Sequence, residues 1–287
     1  YGAVIIDECP EMPPREPPRD RFDVRADDIS AVMSIGDDLL SALAAKSDDI
    51  HSAAVQEFKG VSFASGADAG AFTLHNLFGR YRGQKGGSHG AHPVGLCPGG
   101  RLCHKHDSHA YTSPTQDRLN VALSGAVVDS LPVQWRELRR QARKLGVTGE
   151  EWKLIVVHIG AVDACQVGCA RQAAGSVDFG DHFEQRIKTL LANVHEHMPR
   201  SIVSLTLLSD TSQLHRYIHK NKKRCDRSAA RIAAAQCPCA MTDDTASRYA
   251  LSATIADLNQ RLLHLAHLHN TDPTKPLVGV HVSAPLQ

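Results

Sequence analysis

The sequence predicts an α/β protein, a three-layer α/β/α sandwich around a parallel sheet. Short apolar runs of strand length alternate along the chain with segments of helical periodicity. The run 153–159 is almost continuously apolar, as is typical of a central parallel strand covered on both faces. Connections through helices then keep neighbouring strands parallel. The predicted strands are 29–35, 119–123, 153–159, 201–208 and 277–282.

Helical periodicity predicts the layers on both sides of the sheet. In 132–145, Trp135, Leu138 and Ala142 share one face, and the basic residues are mostly solvated. Leucine and alanine content predicts a helix over 39–56, and a basic helix is expected over 215–223. Two more helices are predicted, each with one apolar stripe that is expected to be buried. The stripe of 181–197 is Phe183, Ile187, Leu190, Leu191 and Val194. The stripe of 249–268 is Leu251, Ile255, Leu258, Leu262 and Leu265.

Length and charge restrict the class of function. The 287 residues are 42% hydrophobic, enough for one large α/β domain with a sizeable core. The formal net charge is +1 with interspersed signs, so no nucleic acid or membrane surface is predicted as a partner. No apolar run reaches the roughly 18 residues of a membrane helix. A signal peptide is not expected either, because Asp7 and Glu8 interrupt the first apolar residues.

Composition divides the chain into a tail, a domain and an insertion. Residues 1–23 are rich in proline and charge, so they are expected to lie extended over the surface or to bind a partner. Residues 24–287 are predicted to form a single α/β domain. Within it, 84–113 is predicted to be a loop insertion rich in glycine, histidine and cysteine.

The eight cysteines bear on the cellular compartment. Their even number and close spacing favour disulfides, and hence a secreted or lumenal protein. The alternative is a set of reduced thiols in a cytosolic or organellar protein. No Asn-X-Ser/Thr sequon occurs, which weakens a glycosylated secretory interpretation without excluding secretion. The cysteines are Cys9, Cys97, Cys103, Cys165, Cys169, Cys225, Cys237 and Cys239.

An acidic turn follows the first predicted strand, where α/β proteins usually place their chemistry. It reads Gly36-Asp37-Asp38-Leu39, one residue away from Gly-Asp-Ser-Leu. A purely structural interpretation makes both carboxylates caps and dipole partners of the helix that follows.

Together with several other stretches, this turn resembles the phospholipase B branch of the GDSL (SGNH) lipase/esterase family over residues 20–283. The resemblance implies a flavodoxin-like sheet. It also implies ester hydrolysis by a serine, a histidine–aspartate pair and oxyanion donors. The matching stretches are 24–29, 36–39, 58–63, 119–126, 129–134, 151–155, Cys225 and 237–239.

The family's catalytic groups are mostly replaced in this chain. Asp38 occupies the position of the serine nucleophile, where a carboxylate would give a labile anhydride on acyl transfer. Gly125 stands where the family has an oxyanion-hole glycine, but Val162 replaces the asparagine donor; Asp163 beside it is interpreted as a loop cap. No Asp-X-X-His occurs in 270–287, where Asp272 and His281 are nine residues apart. A degenerate active site without catalytic residues or cofactor is therefore predicted.

Two other clusters were weighed as replacement sites. The first, in the insertion 84–113, contains enough cysteine and histidine residues to bind zinc, but their spacing matches no familiar zinc module. A disulfide between Cys97 and Cys103 is therefore preferred, and no metal is predicted. In the other, Cys165 and Cys169 match a cysteine pair of the phospholipase B relatives, which implies a local disulfide. Cys225 is expected to pair with Cys237 or Cys239. The first cluster is Cys97, Cys103, His104, His106 and His109.

Three functions remain open at this stage. The first is a catalytically inactive GDSL-like protein that serves as a structural or interaction subunit of a larger assembly. The second is an active ester or phospholipid hydrolase whose Asp-X-X-His block lies outside this chain. The third is a module that binds a lipid or acyl ligand in the old cleft without turnover.

Overall fold

The computed structural model describes residues 10–46, 56–94, 113–170, 179–221, 233–234 and 236–285. Within these, the strands are β1 (Ile29–Gly36), β2 (Gln56–Glu57), β3 (His92–Pro93), β4 (Trp152–His158), β5 (Ser201–Thr206) and β6 (Val278–Ser283). The helices are α1 (Asp38–Ser41), α2 (Leu74–Gly79), α3 (Pro114–Asp117), α4 (Leu131–Lys144), α5 (Ala161–Ala170), α6 (Phe179–His197), α7 (Leu214–Lys220) and α8 (Thr245–Thr271).

The main sheet has four parallel strands in the order β1-β4-β5-β6 among the described residues. Alternate residues of each strand serve opposite faces. Met33 and Ile35 pack into a large core with α4, α5, α6 and α8, whereas Val32 and Val156 face a smaller cluster that includes Leu40 of α1. The three-layer α/β/α prediction is confirmed. The predicted apolar stripes of 132–145, 181–197 and 249–268 are all buried.

Residues 119–123 follow the free edge of β1 but do not form the strand that was predicted. Leu119, Val121 and Leu123 each make a backbone hydrogen bond to β1, but the only β-bridge of this segment is the one between Asn120 and Ser34. The Asn120 side chain takes the Ala122 N–H at 3.1 Å and donates to the Leu40 carbonyl at 2.9 Å. The predicted strand is therefore reduced to one bridge residue, with backbone bonds to β1 on either side of it.

The helix predicted over 39–56 is also wrong, because α1 ends after one turn. Ala42 adopts a left-handed conformation with φ 54° and closes α1 by donating its N–H to the Asp38 and Leu39 carbonyls. Leucine and alanine content indicated a longer helix but carried no signal for this stop. Of the remainder, 47–55 lie outside the described residues, and Gln56 begins β2.

Two disulfides tie α5 to the 3-10 turn Pro238–Met241. They join Cys165 to Cys237 and Cys169 to Cys239. The predicted local Cys165–Cys169 bridge is therefore wrong, and so is the pairing of Cys225 with Cys237 or Cys239. Residues four apart on a helix project side by side toward the same neighbouring segment, so each cysteine meets a separate partner there. Cys225 itself lies outside the described residues, as do Cys97 and Cys103.

Gly36 at the end of β1 allows β1 and β4 to approach closely at their carboxyl ends. A Cβ at this position would lie 1.8 Å from the backbone oxygen of His158. We therefore expect Gly36→Ala to lower the free energy of unfolding by at least about 3 kcal/mol, measured by chemical denaturation.

Gly83→Ala is the matched control, because no atom lies within 4 Å of a Cβ placed there. Its effect should stay below about 1 kcal/mol in either direction. Equal effects of the two substitutions would show that the contact with His158 does not restrict Gly36.

Candidate functional site

The candidate site lies at the carboxyl ends of β1 and β4, where the turn 36–38 meets the segment that leads into α5. Asp37 is fully buried, and its Oδ1 lies 2.7 Å from Nδ1 of His158. Burial opposes the charge on His158, but the charge and hydrogen bond of Asp37 outweigh it and raise the pKa of His158. The result is a buried, hydrogen-bonded pair between the ends of two neighbouring strands.

Asp37 serves a different helix from the one predicted. Its side chain makes no capping bond to α1. Its Oδ2 instead accepts the Ala161 N–H at 3.3 Å, at the first residue of α5. A carboxylate there satisfies a free helix N–H and interacts favourably with the positive end of the helix dipole. The prediction that Asp37 caps the helix after the turn is therefore wrong: its side chain bonds to the start of α5 and not to α1.

Asp38 extends away from α1 toward Gly125, the residue predicted from the resemblance to stand at an oxyanion-hole position. The Gly125 N–H donates to Oδ1 of Asp38 at 2.5 Å. Burial raises the pKa of Asp38 to about 7, with further contributions from the negative charges of Asp37 and Glu57. The bond from Gly125 and the charge of His158 act in the opposite direction. Asp38 is therefore a carboxyl group that titrates near neutral pH.

Two neighbouring contacts fix the backbone that presents the Gly125 N–H. The Ser124 N–H donates to Oε1 of Glu57 at 2.7 Å, and the hydroxyls of Ser124 and Ser41 are 2.7 Å apart. Gly125 itself has φ +77°, a conformation that favours glycine. The donor thus points at Asp38 from a well-supported turn.

Behind this turn lies a buried charged group that the sequence analysis did not identify. Lys59 is fully buried, with its Nζ 3.5 Å from Glu57 and 3.2 Å from Asp117. A buried lysine needs such partners, because an unpaired charge costs several kcal/mol. Lys59 and Glu57 thereby connect α3 to the turn that carries Gly125. The signal available in the sequence was Lys59 as the one charged residue of the mostly apolar stretch 58–63.

Val162, which the sequence analysis placed at the expected asparagine-donor position, has no polar group in its side chain. Val162 lies in the first turn of α5 and is buried, and a valine side chain offers no hydrogen. Asp163 beside it accepts the Val128 N–H with both oxygens, at 3.1 and 3.0 Å, which agrees with a loop cap. Burial raises the pKa of Asp163 to about 7.

The remaining predicted residues are not brought to this site. His281 is exposed on β6, which β4 and β5 separate from β1. Asp272 follows α8 and pairs with Lys275 at 2.8 Å. The insertion cluster with Cys97, Cys103, His104, His106 and His109 lies outside the described residues.

Comparison with known proteins supports the relationship that the motifs indicate. The chain is 25% identical over 241 residues to mouse membrane-associated phospholipase B1, covering 82% of this chain and 15% of the relative. The rat protein is 24% identical over 242 residues, which again cover 82% of this chain and 15% of the relative. The human protein is 25% identical over 276 residues, which cover 93% of this chain and 17% of the relative. The chain therefore spans about a sixth of these relatives' length. No protein-family model matches it.

At this level of identity the chain is related to the phospholipase B-like GDSL (SGNH) lipases, and the parallel sheet flanked by helices agrees with that fold. Across the part of the chain that the structure describes, none of the helices combines the length and the apolar character of a membrane span.

The raised pKa of Asp38 makes a pH-dependent prediction for Asp38→Asn. Below pH 4 the carboxyl is protonated in the folded and unfolded chain, so asparagine should be nearly neutral. Between pH 4 and 7 only the unfolded chain ionises, so wild-type stability should fall as pH rises. Asparagine keeps the acceptor for Gly125 and cannot ionise. We expect Asp38→Asn to be more stable than wild type by about 1–3 kcal/mol at pH 8.

The measurement is denaturant unfolding of both proteins at pH 4, 6 and 8. Glu16→Gln is the control, because Glu16 is exposed on the surface, and its difference from wild type should stay small at all three pH values. A constant difference between wild type and Asp38→Asn across this range would contradict the assignment.

Proposed function

We propose that this protein is a phospholipase B-like protein without serine-type ester hydrolysis, which acts as a structural or interaction subunit of a larger assembly. The observation that carries the proposal is the hydrogen bond from the Gly125 N–H to the Asp38 carboxyl group. In this arrangement the side chain at the nucleophile position occupies the donor that a reacting ester would need.

Three chemical arguments support the loss of hydrolysis. A carboxylate that attacks an ester carbonyl gives an anhydride instead of a stable acyl-enzyme. Its negative charge also opposes the oxyanion that must develop beside Gly125. Replacement of the asparagine donor by Val162 removes a further contribution, worth on the order of a hundredfold to a thousandfold in rate.

Exposed aromatic groups support a role in binding other proteins. Among the residues that the structure describes, four large aromatic side chains are more than half exposed, although such groups are usually at least partly buried. They lie on separate segments: the N-terminal tail, the loop before α2, helix α7 and the start of α8. These residues are Phe22, Phe72, Tyr217 and Tyr249.

The two disulfides and the name of the membrane-associated relatives are both compatible with a secreted or lumenal location, which is part of the proposal. The end of the tail that adjoins the domain is held against it at Arg21, whose N–H donates to the Pro276 carbonyl and whose guanidinium donates to the Asn270 carbonyl. A partner protein could therefore contact this part of the tail and the domain together, on one continuous surface.

The test of lost hydrolysis is turnover of p-nitrophenyl butyrate by wild type, Asp38→Ala, Asp38→Ser and Asp38→Ser/Val162→Asn. We expect wild type to match Asp38→Ala, since neither supplies a competent nucleophile. Asp38→Ser should also remain silent, because an oxyanion donor is still missing. Circular dichroism of each variant checks that the fold is retained.

Turnover by wild type that Asp38→Ala abolishes would overturn the proposal and make Asp38 a catalytic group. Activity that appears only in the double variant would support it, since both lost groups would then be needed together. For the assembly role, the endogenous protein should elute in size-exclusion chromatography at a mass well above 31.1 kDa, together with defined partners. Elution as a monomer would contradict that role.

A further inference from the structure

The two disulfides place four sulfur atoms in one small region. Cys165 and Cys169 lie one turn apart on α5, and Cys237 and Cys239 flank Pro238 at the start of the 3-10 turn Pro238–Met241. The sulfur atoms of Cys169, Cys237 and Cys239 all lie within 4.8 Å of one another. The fourth sulfur, of Cys165, is bonded to Cys237.

This arrangement is close to the one that a tetrahedral metal ion needs. Zinc binds thiolates at about 2.3 Å, which puts the sulfurs of a tetrathiolate site about 3.8 Å apart. Opening both disulfides frees the four sulfurs to move by side-chain rotation. Those of Cys169, Cys237 and Cys239 already lie within 4.8 Å of one another, and the Cys165 sulfur would have to turn toward these three. Each element would still supply two ligands, as in many structural zinc sites.

The surroundings of the sulfurs also suit a metal site. Cys165, Cys237 and Cys239 are each more than nine-tenths buried, and all three belong to the large core. The Cys239 N–H donates to the sulfur of Cys169 at 3.1 Å. A backbone N–H directed at sulfur stabilises the negative charge of a thiolate ligand. Residues of α5 and of the 3-10 turn belong to the same hydrophobic core, so this packing would keep the two elements adjacent when the disulfides are open.

We propose that these four cysteines, when reduced, form a tetrathiolate site that binds one Zn²⁺ ion. Four equivalents of a small thiol reduce the two disulfides to four protein thiols and leave two equivalents of the small-molecule disulfide. Binding of Zn²⁺ then releases the four thiol protons. The disulfide-bonded and zinc-bound forms are alternative states of one cluster, and the metal holds α5 to the 3-10 turn where the disulfides are absent. This inference is independent of the proposed function.

The test uses the full chain with Cys9, Cys97, Cys103 and Cys225 changed to serine, so that only the four cluster cysteines remain. The protein is reduced with a phosphine under anaerobic conditions and titrated with Co²⁺, followed by Zn²⁺. We expect saturation at one Co²⁺ per chain, with the intense visible bands of tetrahedral cobalt and thiolate charge transfer, and displacement by Zn²⁺.

Two controls decide the result. The unreduced protein should not bind Co²⁺, and Cys169→Ser in the same background should weaken binding at least tenfold and change the charge-transfer intensity. Binding that is unaffected by Cys169→Ser, or a stoichiometry other than one, would overturn the proposal. If reduction unfolds the chain, recovery of helical circular dichroism on addition of one equivalent of Zn²⁺ supports the site, and failure to recover contradicts it.

Discussion

The buried pair of Asp37 and His158 joins the carboxyl ends of β1 and β4, and the geometry of the candidate site depends on it. Gly36 brings the two strands together, because any side chain there would meet the His158 carbonyl. Asp37 then connects His158 to the first N–H of α5. With both of its oxygens committed, Asp37 fixes the direction in which the next residue leaves the strand. Asp38 therefore faces Gly125 as a result of how the sheet ends.

A second group of buried charges supports the opposite side of the site. Glu57 holds the Ser124 N–H, and Lys59 lies between Glu57 and Asp117. Buried ionic groups of this kind contribute little net stability, but loss of one partner leaves an uncompensated charge at a cost of several kcal/mol. The turn at Gly125 is thus held by contacts that are independent of any reaction. Its retention is explained by folding, whether or not chemistry takes place beside it.

The fold was predictable from the sequence because its signals are repeated along the chain. The apolar runs that became β1, β4, β5 and β6 and the stripes of the long helices each report burial directly. The two errors are local: the segment 119–123 bonds to β1 but forms only one bridge, and Ala42 ends α1 with a left-handed residue. Neither feature carries a strong signal in a single sequence.

The chemistry of the site was less predictable than its position. The acidic turn predicted the position of the candidate site. The departures of Asp38 and Val162 from the motifs that the chain resembles can be read from the sequence alone. The partners of Asp37 and Lys59 were missed, because His158 and Asp117 are distant in sequence and no periodicity links them. The disulfide pairing was missed for the same reason. Spacing placed Cys165 near Cys169, whereas the packing of α5 against the 3-10 turn determines which sulfurs meet.

On the proposed function, the Asp38–Gly125 bond also explains why loss of an active site would not weaken the fold. An oxyanion donor that no ligand occupies is a backbone N–H that needs an acceptor, and burying it unpaired costs about 1–3 kcal/mol. A serine at position 38 has a shorter side chain than aspartate and would leave Gly125 to water or substrate. The aspartate satisfies that N–H within the protein, although it introduces the cost of a carboxyl group buried beside Asp37. Near neutral pH a proton offsets part of this cost. If Asp38 stands in place of a nucleophile, as we propose, it also supplies the Gly125 N–H with an acceptor that can be held uncharged.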